Sequence, residues 1–206
     1  MNLVFVALFA ALEAVTCFIA IPLPFSPVPI VLQNMMTVLT GLLMGPLYGT
    51  LSTLLFLFLG ALGLPIFSGG SGGFARFKSP TGGFLYGYLI ATLVAALIAG
   101  TPRENKKTPI WRIALATILG FISMYIPGCI HFSLLLSKTV KETLTLSVLP
   151  YLPFDAIKAV FCILIAPGLR KTMALYVLKS KTLIVEEAES IKEIDETKDG
   201  EEKSDD

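Results

Sequence analysis

Two oppositely charged residues within an apolar segment carry the strongest chemical signal in this sequence. Asp155 and Lys158 are three positions apart, a spacing that puts both side chains on one face of a helix. They follow Pro153, and proline favours the first turn of a helix. A charge within a membrane span costs about 2.5–3.5 kcal/mol and usually marks a functional site. The pair is predicted to face a ligand, and the alternative is a self-satisfied ion pair near the membrane interface.

Further candidates lie in a glycine-rich segment, residues 68–83, which we call the glycine loop. Its sequence, SGGSGGFARFKSPTGG, contains Arg76 and Lys78. The glycines around them let the backbone approach a ligand closely. One of the two cations could then neutralise the charge of an anionic ligand. Equally, both could anchor the chain at lipid headgroups. The amides of Gln33 and Asn34 could hydrogen-bond to a ligand or to a neighbouring helix.

The first apolar segment carries a stripe of small side chains. At 100° per residue, Ala7, Ala10, Ala11 and Ala14 fall on one side of a helix. Small stripes let two helices approach closely, so the stripe indicates either internal packing or a docking surface for another membrane protein. Glu13 lies in the same segment, and the sequence assigns it no role.

These residues are embedded in a chain that is too apolar for a soluble domain. Its 206 residues are 54% hydrophobic and 15% charged, against about 45–50% and 25% in soluble proteins. Residues 14–75 contain no Asp, Glu, Lys, Arg or His, and a membrane-spanning helix needs about 20 apolar residues. The composition excludes a soluble enzyme, a nucleic-acid-binding protein and a secreted disulfide scaffold, and it predicts a multi-pass, all-α integral membrane protein.

Proline and glycine residues divide the apolar sequence into six predicted transmembrane helices. The expected ranges are 3–21, 30–44, 47–64, 84–100, 110–136 and about 153–169. The proline-rich stretch 22–30 between the first two is expected to be extended. The membrane domain is assigned to residues 1–180. Residues 180–206 carry eleven acidic side chains against four lysines, so 181–206 are expected to form an acidic, disordered cytoplasmic tail.

The distribution of basic residues predicts the orientation. Six spans put both termini on one side, and Lys and Arg prefer the cytoplasmic side. With both termini inside, the inner flanks carry Arg103, Lys106, Lys107, Arg112, Arg170, Lys171, Lys179 and Lys181. The outer loops carry only Arg76, Lys78, Lys138 and Lys141. This N-in/C-in arrangement puts the proline-rich stretch, the glycine loop and the start of the sixth helix at the outer face. Irregular backbone there is expected to line a cavity.

Metal binding and catalysis receive no support from the sequence. Cys17, Cys129 and Cys162 lie in apolar stretches without CxxC spacing, and His131 is the single histidine. We therefore expect no metal and no cofactor. An intramembrane enzyme would need a nucleophile with its base, or a set of metal ligands, and the sequence supplies neither.

Five segments, in order and at matching spacing, resemble the BioY family. They are IPLPFSPVPIVLQ (21–33), GLLMGP (41–46), GALGLPIFSGGSGG (60–73), SPTGGFLYGY (79–88) and DAIKA (155–159). The resemblance covers residues 3–171, and ALFAAL (7–12) is similar to the alanine motif of the family's first helix. BioY proteins are the biotin-binding S components of energy-coupling-factor (ECF) transporters. The resemblance implies a six-helix S-component bundle in a prokaryotic cell membrane that captures biotin at its outer face.

The resemblance also implies partners, and the chemistry of biotin, as the implied ligand, indicates which residues would contact it. The first helix, with Ala7, Ala10, Ala11 and Ala14, would dock on a membrane T component driven by ATP-binding A components. The expected biotin contacts are Asp155, Lys158, Gln33, Arg76, Lys78, Tyr86 and Phe84. In this scheme Asp155 accepts from the ureido N–H groups, and Lys158 donates to the ureido carbonyl or to the carboxylate. The alternatives are an S component for another vitamin, a stand-alone biotin transporter and a structural adaptor.

Overall fold

A computed structural model describes residues 2–103 and 107–176. The helices are α1 (Asn2–Val15), α2 (Gln33–Ala61), α3 (Gly82–Ala99), α4 (Ile110–Leu136), α5 (Val140–Ser147) and α6 (Leu152–Tyr176). Two strands, β1 (Ala20–Leu23) and β2 (Ser26–Val31), lie between α1 and α2. The glycine loop contains a short 3-10 helix at Phe74–Lys78. The predicted acidic tail lies outside the described residues.

The longest helix, α2, consists of two antiparallel halves that meet at Gly45. Gly45 has φ 75°, a value that favours glycine, and Pro46 follows it. The hydroxyl of Thr92 in α3 donates to Thr37 O at 3.0 Å and lies 2.9 Å from the Thr53 hydroxyl. Thr37 and Thr53 would be about 24 Å apart in a straight helix, so the chain reverses between them. The predicted break at Gly45-Pro46 is therefore confirmed.

The proline-rich stretch forms an antiparallel hairpin. The sequence predicts an extended conformation, which is confirmed, but it does not predict that β1 pairs with β2 through Ala20↔Val31, Ile21↔Ile30 and Leu23↔Ser26. The first α-helix correspondingly ends at Val15 and not at residue 21. Strand pairing satisfies backbone groups that proline prevents from joining a helix.

Two further boundaries differ from the sequence prediction. Residues 137–150, predicted as a linker, contain α5, whose N-terminus has a capping box between Thr139 and Glu142. The backbone N–H and hydroxyl of Thr139, with the Lys138 ammonium, hold the pKa of Glu142 below its ordinary value. The last helix begins at Leu152, close to the predicted start, but continues to Tyr176, well past residue 169.

The outward faces of the helices are apolar. In α4, Ile118, Ile122, Ile126 and Ile130 recur every four residues and are 47–58% exposed. Soluble monomers rarely expose so continuous an apolar surface. Among the described residues, α2, α3, α4 and α6 are long and apolar enough to cross a membrane. These features are those of a multi-pass membrane protein.

Small residues bring the inner helices into close contact. A Cβ atom added at Gly41 of α2 would lie 2.3 Å from the backbone oxygen of Thr92 in α3. A Cβ atom added at Gly87 of α3 would lie 2.6 Å from the backbone oxygen of Met124 in α4. Glycine is therefore required at both crossings, because any side chain would force two backbones apart.

We expect Gly41→Ala to destabilise the fold by about 1–3 kcal/mol, because its methyl group would overlap a backbone oxygen that cannot rotate away. Gly168 of α6 is the matched control, since no heavy atom lies within 4 Å of its Cβ position. Gly168→Ala should be neutral or stabilising by up to about 1 kcal/mol, because alanine favours helix. Thermal unfolding in detergent measures both changes. Equal melting temperatures for the two variants would contradict the close crossing.

Candidate functional site

A cavity of about 60 Å³ lies at the end of the bundle where the β hairpin, the glycine loop and the start of α6 meet. The sequence analysis expects these three segments to surround a cavity, and the structure brings them together. The charged and amide side chains in its wall are Asn34, Arg76, Asp155 and Lys158, and the aromatic ones are Phe67, Phe84, Tyr88, Tyr125 and Tyr151.

Asp155 and Lys158 form a buried ion pair in the cavity wall. Lys158 Nζ lies 2.7 Å from Asp155 Oδ1, and the two residues are 9% and 6% exposed. The ammonium group also donates to Val31 O at 2.7 Å and to Asn34 Oδ1 at 3.1 Å. An ammonium group has three protons, so this set of acceptors uses all of them. The side chain of Lys158 is thereby held in one position.

Asp155 retains hydrogen-bonding capacity. Its Oδ1 accepts from Lys158 and from Asn34 Nδ2 at 3.0 Å, and its Oδ2 accepts from the Tyr125 hydroxyl. A carboxylate offers about four lone-pair sites, so one more donor can be accepted. The Asn34 amide has a second N–H. An acceptor beside a donor suits a ligand group that presents an N–H next to a carbonyl.

Aromatic rings form much of the remaining wall. Phe84 and Tyr125 meet edge to face, with ring centroids 6.2 Å apart. Tyr88 is almost fully buried, and the Tyr151 hydroxyl donates to Val28 O, which attaches the hairpin to the start of α6. A largely apolar lining with a few placed polar groups is typical of small-molecule sites.

A second cavity, of about 290 Å³, adjoins the first between the hairpin and the glycine loop, and we call it the mouth. Pro29, Ser68, Arg76 and Thr81 line both spaces. Arg76 is thus the cation at their boundary. Lys78 is exposed, with Nζ 6.0 Å from the centre of the Phe74 ring, and it lines neither cavity. Of the two predicted cations, Arg76 is therefore the one that lines these cavities.

Two other predicted contacts, Gln33 and Tyr86, do not line the cavity. Gln33 is fully buried, and its Nε2 donates to Glu13 O at 3.0 Å and to Ile66 O at 2.8 Å, joining α1 to the chain after α2. Tyr86 is 47% exposed. It follows Phe84 by two positions, about 200° around α3, so the two rings point to opposite sides.

Three tyrosines in the cavity wall, Tyr88, Tyr125 and Tyr151, are absent from the sequence-based site. Their hydroxyl groups are the feature of the sequence that could have indicated them. A buried tyrosine within an apolar segment needs a hydrogen-bond partner, so it tends to lie beside other polar groups. Asn34, which is not among the expected biotin contacts, takes the position next to Asp155.

The alanine stripe of α1 is divided between two environments. Ala7 and Ala11 are exposed, whereas Ala10 is 3% exposed and Ala14 packs partly buried against the core. Of the four alanines of the stripe, Ala7 and Ala11 are therefore the ones that a second helix could contact from outside.

Glu13 is buried away from the cavity. Its Oε1 accepts from the Thr53 hydroxyl at 2.9 Å, and Thr53 in turn contacts the Thr92 hydroxyl at 2.9 Å. These side chains join α1 to the second half of α2 and to α3. Within the described residues, Glu13 Oε2 has no hydrogen-bond partner.

Comparisons of sequence and structure find closely similar proteins. Residues 1–175 match the family described as the BioY family. The chain is 33% identical over 170 residues to the biotin transporter BioY of Thermotoga maritima, covering 82% of this chain and 96% of that protein. It is 37% identical over 186 residues to the biotin transporter BioY of Rhodobacter capsulatus, with 85% and 94% covered. The crystal structure of the S-component for biotin from an ECF-type ABC transporter superposes with a TM-score of 0.74 at 32% identity, covering 82% and 90%.

Replacing Lys158 tests whether the ion pair is as buried as the geometry indicates. Lys158→Met should lower the free energy of unfolding by about 3–5 kcal/mol, because Asp155 would stay buried without its cation. Lys138→Met is the control, since the Lys138–Glu142 pair is 3.7 Å apart with side chains 41% and 50% exposed. Its loss should cost less than about 1 kcal/mol. Thermal unfolding in detergent measures both changes. Similar losses of stability in Lys158→Met and Lys138→Met would show that water reaches Asp155.

Proposed function

The chain belongs to the BioY family, and from that premise we propose that it binds biotin in the cavity beside Asp155 and takes it up as the S component of an ECF transporter. The observation that supports this best is the pairing of an unused Asp155 acceptor site with the second N–H of Asn34 at an aromatic cavity. The ureido ring of biotin presents N–H donors next to a carbonyl, which is the complementary pattern.

The geometry suggests one pose for biotin. The ureido ring meets Asp155 and Asn34, the fused rings lie against Phe84 and Tyr88, and the carboxylate points to the mouth. There it pairs with Arg76 through charge-assisted hydrogen bonds. We assign Lys158 to positioning Asp155 and not to direct donation, because its protons already have acceptors.

The size of the inner cavity requires the site to open. A volume of about 60 Å³ holds a few water molecules, and ligand pockets begin near about 300 Å³. The mouth, at about 290 Å³, adjoins it through four shared residues. Biotin would therefore enter by displacing part of the glycine loop or the hairpin, which joins the two spaces into one.

We further propose six spans with both termini in the cytoplasm. The halves of α2 would be the second and third spans, beside α1, α3, α4 and α6. Five cations lie at the end of the bundle opposite the biotin cavity, and cytoplasmic loops are enriched in Lys and Arg. They are Arg103, Lys107, Arg112, Arg170 and Lys171. The cavity would then face outward from the cell membrane, with 1–180 as the membrane domain and 181–206 as a cytoplasmic tail.

Transport needs partners, and we propose that α1 supplies the contact. Ala7 and Ala11 would face a membrane T component, with ATP-binding A components driving release of biotin. The protein would then have no catalytic activity of its own. Stand-alone biotin uptake and an S component for another vitamin are the alternatives.

Isothermal titration of the purified protein with biotin tests the site, with riboflavin as the competing vitamin. Asp155→Asn should weaken biotin binding by about 10- to 150-fold, because a hydrogen bond to a charged group contributes about 1.5–3 kcal/mol. Arg76→Gln should weaken it by at least about tenfold through loss of the carboxylate contact.

Lys78→Gln is the matched control for Arg76→Gln, because Lys78 lies in the same loop outside both cavities. Esterifying the biotin carboxylate should abolish the effect of Arg76→Gln and leave that of Asp155→Asn. Binding of riboflavin in place of biotin would contradict the assignment, and unchanged biotin affinity in Asp155→Asn would place the site elsewhere.

Bulky residues on α1 test the docking surface. Ala7→Leu with Ala11→Leu should reduce transport and co-purification with a T component, because larger side chains prevent close helix contact. Biotin affinity should persist, since both positions are exposed. Ala10→Leu is the contrast, as Ala10 is 3% exposed and its enlargement should disturb folding instead. An equal fall in biotin affinity and co-purification would identify the stripe as internal packing.

A further inference from the structure

The end of the bundle opposite the biotin cavity contains two adjoining cavities, of about 300 and 250 Å³, which we call the basic cavities. Arg103 and Lys107 line both of them. Arg170 and Lys171 of α6 line the larger one, and Arg112 of α4 lines the smaller one. Five basic side chains therefore surround connected spaces large enough for more than one anionic group.

No acidic side chain in the described part of the chain lines the basic cavities. Glu13, Glu142 and Asp155 lie elsewhere. Between α3 and α4 the sequence also contains Glu104 and Lys106, outside the described residues, and their charges cancel. The surplus of positive charge favours an anionic occupant.

Arg170 differs from the other cations because the fold already uses it. It donates to the backbone oxygens of Leu42, Ala99 and Gly100, which lie at the ends of two helical segments. It is 4% exposed and supports the structure of this end. Arg112 uses its Nε–H, which donates to Ile98 O, and keeps its other N–H groups. The cations available to an occupant are therefore Arg103, Lys107, Lys171 and the free N–H groups of Arg112.

We propose that the acidic segment 186–206 of the same chain docks on the basic cavities. That segment carries eleven acidic side chains and three lysines, so its charge is opposite to that of the cavity walls. Lys171 precedes Tyr176, the last described residue of α6, by five positions, or about 8 Å of helix. Ten further residues lead to Glu186 and can span up to about 35 Å. The first acids can therefore return to the cavities.

The covalent connection favours this occupant over free anions. A short tether keeps a linked group at an effective concentration of about millimolar, without any additional contact. The docking is independent of biotin, because Asp155 and Arg170 are fifteen residues apart on α6, or about 22 Å. Failure of the biotin assignment would thus leave this proposal standing, and the reverse also holds.

Zero-length cross-linking of the full chain tests the proposal. A water-soluble carbodiimide joins carboxylates to lysine amines only where they touch. The chain is held one copy per nanodisc in zwitterionic lipid, and products are mapped by mass spectrometry. We expect Lys107 and Lys171 to cross-link to acids within 186–206. The yield should fall about fivefold or more between 0.1 M and 1 M salt, as the screening length drops from about 10 to 3 Å.

The chain supplies matched controls. Lys138 and Glu142, 3.7 Å apart, should cross-link under the same conditions and show that the reaction works. Arg103→Gln with Arg112→Gln should lower the yield at Lys107 and Lys171 severalfold. Lys78→Gln with Lys141→Gln removes two exposed cations at the biotin end, one from the glycine loop and one from α5, and should leave that yield unchanged.

Three results would overturn the proposal. The first is a Lys138–Glu142 product without any product from 186–206. The second is cross-linking of the acidic segment to Lys78 and Lys141 in the same yield as to Lys107 and Lys171, which would show that the segment has no preferred site. The third is loss of the products in discs with anionic lipid, which would make a headgroup phosphate the occupant of the basic cavities.

Discussion

The ammonium group of Lys158 is the point at which the β hairpin, α2 and α6 are joined. Its three protons go to Val31, Asn34 and Asp155, one from each element. Within a membrane no bulk water can replace these acceptors, so each contact must be made inside the protein. Asp155 extends the set to α4 through Tyr125. The shape of the cavity proposed for biotin thus depends on one fully used cation.

Helix α6 carries a second buried cation, Arg170, which satisfies backbone acceptors at the opposite end of the helix. Arg170 donates to Leu42 and Ala99, carbonyls near the ends of helical segments that have no partner within their own helix. Lys158 satisfies a strand carbonyl and a carboxylate. Both cations compensate acceptors that lipid cannot hydrate, and α6 therefore fixes the arrangement of the other helices at its two ends.

Sequence reasoning predicts those parts of this molecule that depend on local chemistry. Gly45 with its following proline marks a chain reversal, and the spacing of Asp155 and Lys158 marks one helix face, because both signals lie within a few residues. The pairing of the hairpin, the inward position of Tyr125 and the structural role of Gln33 depend on segments distant in the chain. Periodicity alone does not identify which side of a helix contacts which neighbouring helix. For the same reason, it could not show that the alanine stripe of α1 is partly exposed and partly buried.

The small volume of the inner cavity would have a kinetic consequence for biotin capture at the proposed site. On one side, β2 is held by side-chain hydrogen bonds from Ser26 to α5, from Tyr151 and from Lys158. On the other, the glycine loop has backbone hydrogen bonds from Gly69 to Cys17 O, just after α1, at 3.1 Å and from Gly73 to Gly60 O in α2 at 2.8 Å. Nε2 of His131 in α4 also lies 3.0 Å from the loop oxygen of Ser79. The hairpin thus has more side-chain hydrogen bonds to the helices than the loop, so in the proposed mode of biotin entry the loop is the side expected to yield. With that mode of entry, association would have two steps, and its measured rate would level off at high biotin concentration, at the rate of loop opening and below the diffusion limit.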